Sequence, residues 1–406
     1  MTHRERILST IRRRPTDEIP FVPRLDLWYI AHRARGTLPP QLRDLNMVQL
    51  AETLGVACHS LRADFTLPRE PLELLLAGLG LENHPDFPYR VELCGSPVDF
   101  KHDNGRYTTN IRTAAGEISW VMETTHEMHR EGIYALFPLK FAMTSVAECN
   151  AVGELFEHLE IIPTPEAYAA YRRRIGDQGL ALASGPVAAS PLHLLLHNLM
   201  PQEAFFLAFH DFPEAILGLA KRMEPCFEKM LDALMLCEAE VVFWGANYDQ
   251  NLTWPGFFQT HITPWLKRVS DRCHAAGKLL LTHADGENQK LLPLFPACGI
   301  DVAESVCPAP MTRCSLKELR AGMGPATTIW GGLPATAFLP SCMDDSSFED
   351  YMGNIFADLG SGERLVFGIS DNVPPDADMA RMQRVKQLIQ HFGPITPNQI
   401  NAKDPR

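Results

Sequence analysis

Eight short, continuous apolar runs punctuate the chain: residues 19–28 (IPFVPRLDLW), 56–65 (VACHSLRADF), 181–188 (ALASGPVA), 240–247 (EVVFWGAN), 278–285 (KLLLTHAD), 299–305 (GIDVAES), 327–334 (TTIWGGLP) and 364–370 (RLVFGIS). Runs without alternation suit strands covered on both faces, and the later ones are separated by stretches of helical composition. Helices are predicted over 213–236, over 262–277 with Pro264 in the first turn and Gly277 at the end, and over 376–393. This alternation predicts an α/β fold, a (β/α)8 TIM barrel, with an open doubly wound sheet as the alternative. Between 88 and 126 the pattern changes to alternation with turns at Asn104-Gly105 and Ala115-Gly116. That is read as an antiparallel β-hairpin insertion after the second strand, placed to form a wall or lid over the open face. Residues 1–393 are expected to form one barrel domain and 394–406 a loosely held Pro-rich tail.

Composition narrows the partners. The 406 residues carry a formal charge of -12, which argues against nucleic acid, and the one basic run, Arg12 to Arg14, is short. Ten cysteines are scattered without a CxxC pair, so neither a zinc ribbon nor a redox pair is expected. The amino-terminal stretch lacks the apolar core of a signal peptide, and no segment approaches the roughly 20 apolar residues that span a bilayer. A cytoplasmic protein that meets no membrane is the expectation.

Candidate chemistry gathers where polar residues first appear at the carboxyl ends of the later runs: His283 and Asp285, then Glu304, then Ser370 and Asp371. In an eight-fold barrel these ends form one open face, so donors from separate strands can converge on a single ion. One imidazole with carboxylates accommodates a divalent metal such as Zn(II), Fe(II) or Mn(II). The competing reading makes Asp285 the cap of a helix starting near Gly286 and gives His283 to a neighbouring carbonyl. Cys298, ahead of its strand, is expected in the core, while Cys307 is near enough to the mouth to be weighed as a ligand. After the fourth run, Asn247, Tyr248, Asp249 and Trp254 mix polar groups with aromatics in the manner of a substrate pocket. Arg24 and Asp26, two apart on the first run, could orient an anionic substrate. No P-loop, GxGxxG, GxSxG or HExxH pattern occurs.

The opening HRERILSTIRRRPTDEIPFVP, the hairpin RYTTNIRTAAGEISW, and above all the stretch from HAAGKLLLTHADG to SDNVPPDADMARM resemble the uroporphyrinogen decarboxylase superfamily over most of the chain. True uroporphyrinogen decarboxylases carry an RQAGRYLPEY-like segment after the first strand. PRLDLWYIAHRARG stands there instead, which turns the resemblance toward the branch of zinc-dependent methyltransferases that work with corrinoid proteins. The resemblance implies a single (β/α)8 barrel, with zinc held by a His-x-Cys pair after strand five, often a Glu after strand six, and a Cys after strand eight. The pattern maps onto His283, onto Asp285 in place of the first cysteine, and onto Glu304. Near Gly368 to Asp371 no thiol exists, and Asp371 is the nearest donor.

Carboxylates in place of thiolates favour harder ions and oxygen substrates. The reading is therefore a methyltransferase that moves a methyl group from a small O-, N- or S-methylated substrate to a corrinoid carried by a partner protein. The metal is expected at His283, Asp285 and Glu304, substrate contacts at Arg24, Asp26, Asn247, Tyr248 and Trp254, and a general acid at Asp249 or Asp371. The chain lacks the DxHxxG signature of a corrinoid-binding domain, so the corrinoid must arrive on the partner. Homodimerisation is left open. The rival readings are a metal-dependent decarboxylase or lyase without corrinoid, and a non-catalytic binding protein.

Overall fold

The computed structural model describes residues 1–61 and 70–397. Twelve strands occur among the described residues. β1 (Tyr89–Leu93) pairs antiparallel with β6 (Leu159–Pro163), while β2 (Val98–Asp103), β3 (Arg106–Thr113), β4 (Gly116–Glu123) and β5 (Phe137–Lys140) form an antiparallel meander. The other six are β7 (Ala183–Ser184), β8 (Val241–Ala246), β9 (Leu279–His283), β10 (Val302–Val306), β11 (Thr328–Pro334) and β12 (Leu365–Ser370). They make one parallel sheet in sequential order. Five of these strands, β7, β8, β10, β11 and β12, are buried along their whole length, which is why their segments read as unbroken apolar runs.

The first two runs depart from expectation. Among the described residues neither forms a ladder. Phe21 makes a single parallel bridge to Phe367 of β12, and Cys58 makes one to Gly179 ahead of β7. Pro20 and Pro23 remove two backbone donors from the first run, and a helix, Asp26–Arg35, takes over its end. The two runs still touch each other, since Ala57 N donates to the Phe21 carbonyl at 3.0 Å. Residues 62–65 of the second run and the tail beyond 397 lie outside the described residues.

One buried cluster draws on all eight runs. It joins Val22, Ala57, Leu182, Phe243, Leu281, Val302, Trp330 and Val366, with Ile7, Leu8 and Ile11 of the amino-terminal helix His3–Ile11 packed among them. That helix starts in a capping box, Thr2 and Glu5 each satisfying the other's backbone N–H. The helices predicted from period appear as Pro213–Leu236, Thr263–Ala275 and Met379–Phe392.

The antiparallel region is wider than the expected 88–126. Its sheet runs on to Lys140, and β1 leaves the meander for β6. Asn104 and Gly105 turn the first hairpin with φ of +48° and +77°, the left-handed pair a tight hairpin needs; the second turns at Ala114 and Ala115, one residue earlier than predicted. Trp120 anchors the meander on Gly78, where an added Cβ would sit 2.3 Å from the indole. No helix among the described residues is long and apolar enough to cross a membrane.

At Gly331 the backbone has φ +140°, and a Cβ would meet the Val306 carbonyl at 2.6 Å and Ser370 Oγ at 2.8 Å. Gly331→Ala is expected to cost about 2–3 kcal/mol in urea unfolding. Gly353, exposed within the helix Asp345–Ala357 with nothing within 4 Å of an added Cβ, serves as control. Gly353→Ala should stabilise by up to about 1 kcal/mol, and equal effects at the two positions would refute the packing constraint at Gly331.

Candidate active site

Side chains two apart in a strand share a face, so the apolar cluster inside the sheet dictates what stands above it. Val22 is followed at that spacing by Arg24, Ala57 by His59, Leu281 by His283 and Val302 by Glu304. A polar layer thus rests on an apolar one at the carboxyl ends of the strands. His283 and Glu304 are register partners across β9 and β10. His283 Nδ1 donates to Glu304 Oε2 at 2.5 Å, and the other carboxylate oxygen receives His59 Nε2 at 3.2 Å.

All three are buried, with Glu304 only 3% exposed. Burial opposes charge on both members of the His283–Glu304 pair, but their attraction and shared hydrogen bond prevail. His283 is raised to about 9, and Glu304 is held well below the usual carboxylate range, with His59 adding to the effect. Directly after Glu304, Ser305 takes a left-handed φ of +60° and the pairing with β11 skips a residue. Such bulges re-aim side chains at strand ends. Ser305 Oγ here donates to Asp371 Oδ1 at 3.4 Å.

Asp371 follows β12 and accepts from Arg24 Nη1 at 3.1 Å and from Asn372 Nδ2 at 2.7 Å. Its Oδ1 lies 3.8 Å from His283 Nε2. Asp285, half-buried, has its carboxyl pushed up by burial, with His283 pulling the other way. Arg24, His283, Asp285 and Asp371 border one cavity of about 360 Å³, together with Asn247, His197 and Asn198. Apart from Glu82, its remaining wall is largely apolar and includes Leu61, Phe243 and, from the antiparallel region and its flanks, Phe87, Tyr89 and Leu136.

Five of the sequence-predicted site residues therefore meet at one cavity: Arg24, Asn247, His283, Asp285 and Asp371. Glu304 stands behind His283 instead of facing the cavity. The other assigned residues lie outside this cavity, and Asp371 takes a different part in it from the one expected. Tyr248 is fully buried, its hydroxyl bonded to Thr282 Oγ1 at 2.7 Å and its ring stacked on His193. Trp254 packs in an aromatic cluster with Phe206, Phe209 and Phe257, away from the cavity wall. Asp26 is buried in the first turn of its helix. Asp249 spends one oxygen on Asn251 N at 2.8 Å and the other on Glu287 N at 3.2 Å, bracing two loops against each other. Asp371 accepts three hydrogen bonds, the arrangement of an anionic acceptor and not of a proton donor.

No helix starts at Gly286, so Asp285 is not a cap. Cys298 is buried with its thiol directed at the Leu294 carbonyl, and burial pushes Cys307 to about 12. Neither lines the cavity. Among the described residues, no group of three or more His, Cys, Asp and Glu is already drawn up so as to hold a metal ion.

Sequence reasoning passed over His59, His197 and Asn198. His59 was legible, because it follows Ala57 in the second run by the same two-residue step that takes Leu281 to His283 in the fifth. His197 and Asn198 sit in a wide helical turn, Leu195–Leu199, whose five-residue hydrogen bonding has no period to read.

No family model matches the chain, and no curated protein matches it in sequence. The fold is similar to that of a methyltransferase from Methanosarcina mazei, with a TM-score of 0.56, 13% identity, and coverage of 97% of this chain and 99% of that one. At that identity the likeness concerns the fold.

A hydrogen bond to a buried charged group is worth about 1.5–3 kcal/mol. His59→Leu takes away one of the two donors that hold Glu304 while His283 remains, and is expected to lower stability by about 2 kcal/mol in urea unfolding. His59→Gln, which keeps an N–H donor, should recover most of it. An unperturbed His59→Leu protein would show that Glu304 does not need this imidazole.

Proposed function

We propose that the chain is a methyltransferase whose parallel sheet closes with the first two runs into a (β/α)8 barrel, and whose carboxyl-end cavity takes a small methylated substrate. The acceptor in this reading is a corrinoid presented by a partner protein. The inner cluster drawing on eight runs and the bridges at Phe21 and Cys58 support closure. The fold likeness to a named methyltransferase supports the reaction class. The observation that carries the assignment is the convergence of His283, Asp285, Asp371 and Arg24 on a cavity walled by apolar side chains.

A divalent metal, zinc first, belongs to this reading. The donor chemistry fits. With His283 neutral, Arg24 against Asp371, Asp285 and Glu304 leaves two negative charges for a divalent ion to balance. Glu304 already occupies His283 Nδ1, which leaves Nε2 as the ligand atom, with Asp285 and Asp371 as the other donors. Glu304 then orients the ligand imidazole, as carboxylates behind metal-binding histidines do. Bound there, the metal would supply Lewis-acid polarisation of the atom from which the methyl group departs. Arg24 fixes the direction of Asp371, while Tyr89, Leu136 and Phe243 keep water from the substrate's apolar body. The lyase alternative would place a substrate carboxylate in the cavity.

Two measurements bear on this. With zinc, cob(I)alamin and a panel of O-, N- and S-methyl donors, at least one donor should give the methyl–cobalt absorbance, and silence across the panel would end the methyltransferase reading. In elemental analysis and metal titration, His283→Ala and Asp285→Ala should weaken zinc binding more than about tenfold, with a smaller loss for Glu304→Gln. Unchanged binding in the first two would remove them from the ligand set.

A further inference from the structure

Beside the charged wall the cavity carries a neutral one, built on a single imidazole. His197 Nδ1 lies 2.7 Å from Asn198 Oδ1, and its Nε2 lies 3.2 Å from Asn247 Nδ2. An amide oxygen only accepts and an amide nitrogen only donates, so the ring must carry its proton on Nδ1 and present a lone pair at Nε2. A doubly protonated ring would set N–H against N–H at Asn247. The uncharged form is also the one burial favours. This tautomer fixes both amides at once, committing the oxygen of Asn198 and the nitrogen of Asn247 to the ring. What remains is the Asn198 amide nitrogen, a donor, and the Asn247 amide oxygen, an acceptor, on two residues of the cavity wall. Among the described residues no hydrogen bond engages either atom.

Asn247 is held for this position. Its φ is +57°, a left-handed conformation that Asn tolerates better than most residues, and its backbone N–H donates to the His283 carbonyl at 3.0 Å. Backbone strain of this kind gathers at ligand sites. The apolar neighbours Leu61, Phe87, Tyr89, Leu136 and Phe243 suit a flat or aliphatic body and offer it no charge.

We propose that Asn198 and Asn247, set by His197, are the specificity pair of the cavity, and that they select a substrate with an apolar body and an uncharged group that both donates and accepts hydrogen bonds, as a carboxamide or hydroxyl does. This rests on the reading of the cavity as the substrate site and names the chemical class it takes. At the pair itself a neutral group is favoured over an ionised one, because one neutral donor and one neutral acceptor compensate the desolvation of a charge poorly.

The test uses the whole protein with benzamide and toluene as probes, rings of similar size with and without the polar group, titrated by ligand-observed NMR. Asn198→Leu removes the donor. Asn247→Gly removes the acceptor while keeping the left-handed backbone, and Asn247→Asp, which also tolerates that backbone, replaces the nitrogen that serves His197. Each variant is expected to weaken benzamide about tenfold and leave toluene unchanged. Equal weakening of both probes, or no weakening of benzamide, would overturn the pair's role. Binding is read without any methyl acceptor. Failure of methyl transfer therefore leaves a positive result standing, and loss of the benzamide preference leaves methyl transfer untouched.

Discussion

The constraint on which the site depends is a buried carboxylate shared between two imidazoles. Glu304 cannot be left charged and unpartnered beneath the cavity, since a lone ion in that environment costs several kcal/mol. His59 and His283 take one oxygen each, and they come from the second run and from β9. Three chain segments far apart in sequence are thereby held in one register. The same contact turns the His283 ring so that its second nitrogen points toward Asp371. Without the carboxylate behind it, the ring would be free to rotate, and the convergence of groups in the cavity would lose its centre.

Much of this was written in the hydrophobic pattern, and the reason is geometric. Strands buried on both faces leave no alternation, so β8 to β12 stand out as runs, and the polar residue that ends each run marks the layer above the apolar interior. That rule found His283, Glu304 and Asp371. It reaches His59 and Arg24 by the same two-residue step from Ala57 and Val22. The first two runs differ because their pairing among the described residues is reduced to single bridges, and in the first run prolines at 20 and 23 had already removed donors a ladder requires.

Aromatic composition was the poorer guide. Tyr248 and Trp254 follow β8 closely, yet their rings satisfy neighbouring rings and not a ligand. Sequence proximity to a strand end does not distinguish a side chain that faces the cavity from one that faces the surrounding helices. The apolar cavity wall comes largely from elsewhere, from residues 87–91 and 135–136 at the margins of the antiparallel region. No local signal ties those positions to the parallel sheet. His283, Asp285 and Asp371 thus come with the parallel strands, and much of the apolar wall with what was added to them.

The pairings at the sheet's edge have a bearing on how the chain is made. Phe21 meets Phe367, and Thr16 meets Ile395 in a further isolated bridge, so early residues take part of their pairing from late ones. On the ribosome the stretch around Phe21 emerges long before β12 exists and must wait with its apolar side chains uncovered. Completion of the interior therefore waits until β12 has been made. A nascent chain of this design has reason to need a chaperone during that interval, although the finished molecule does not.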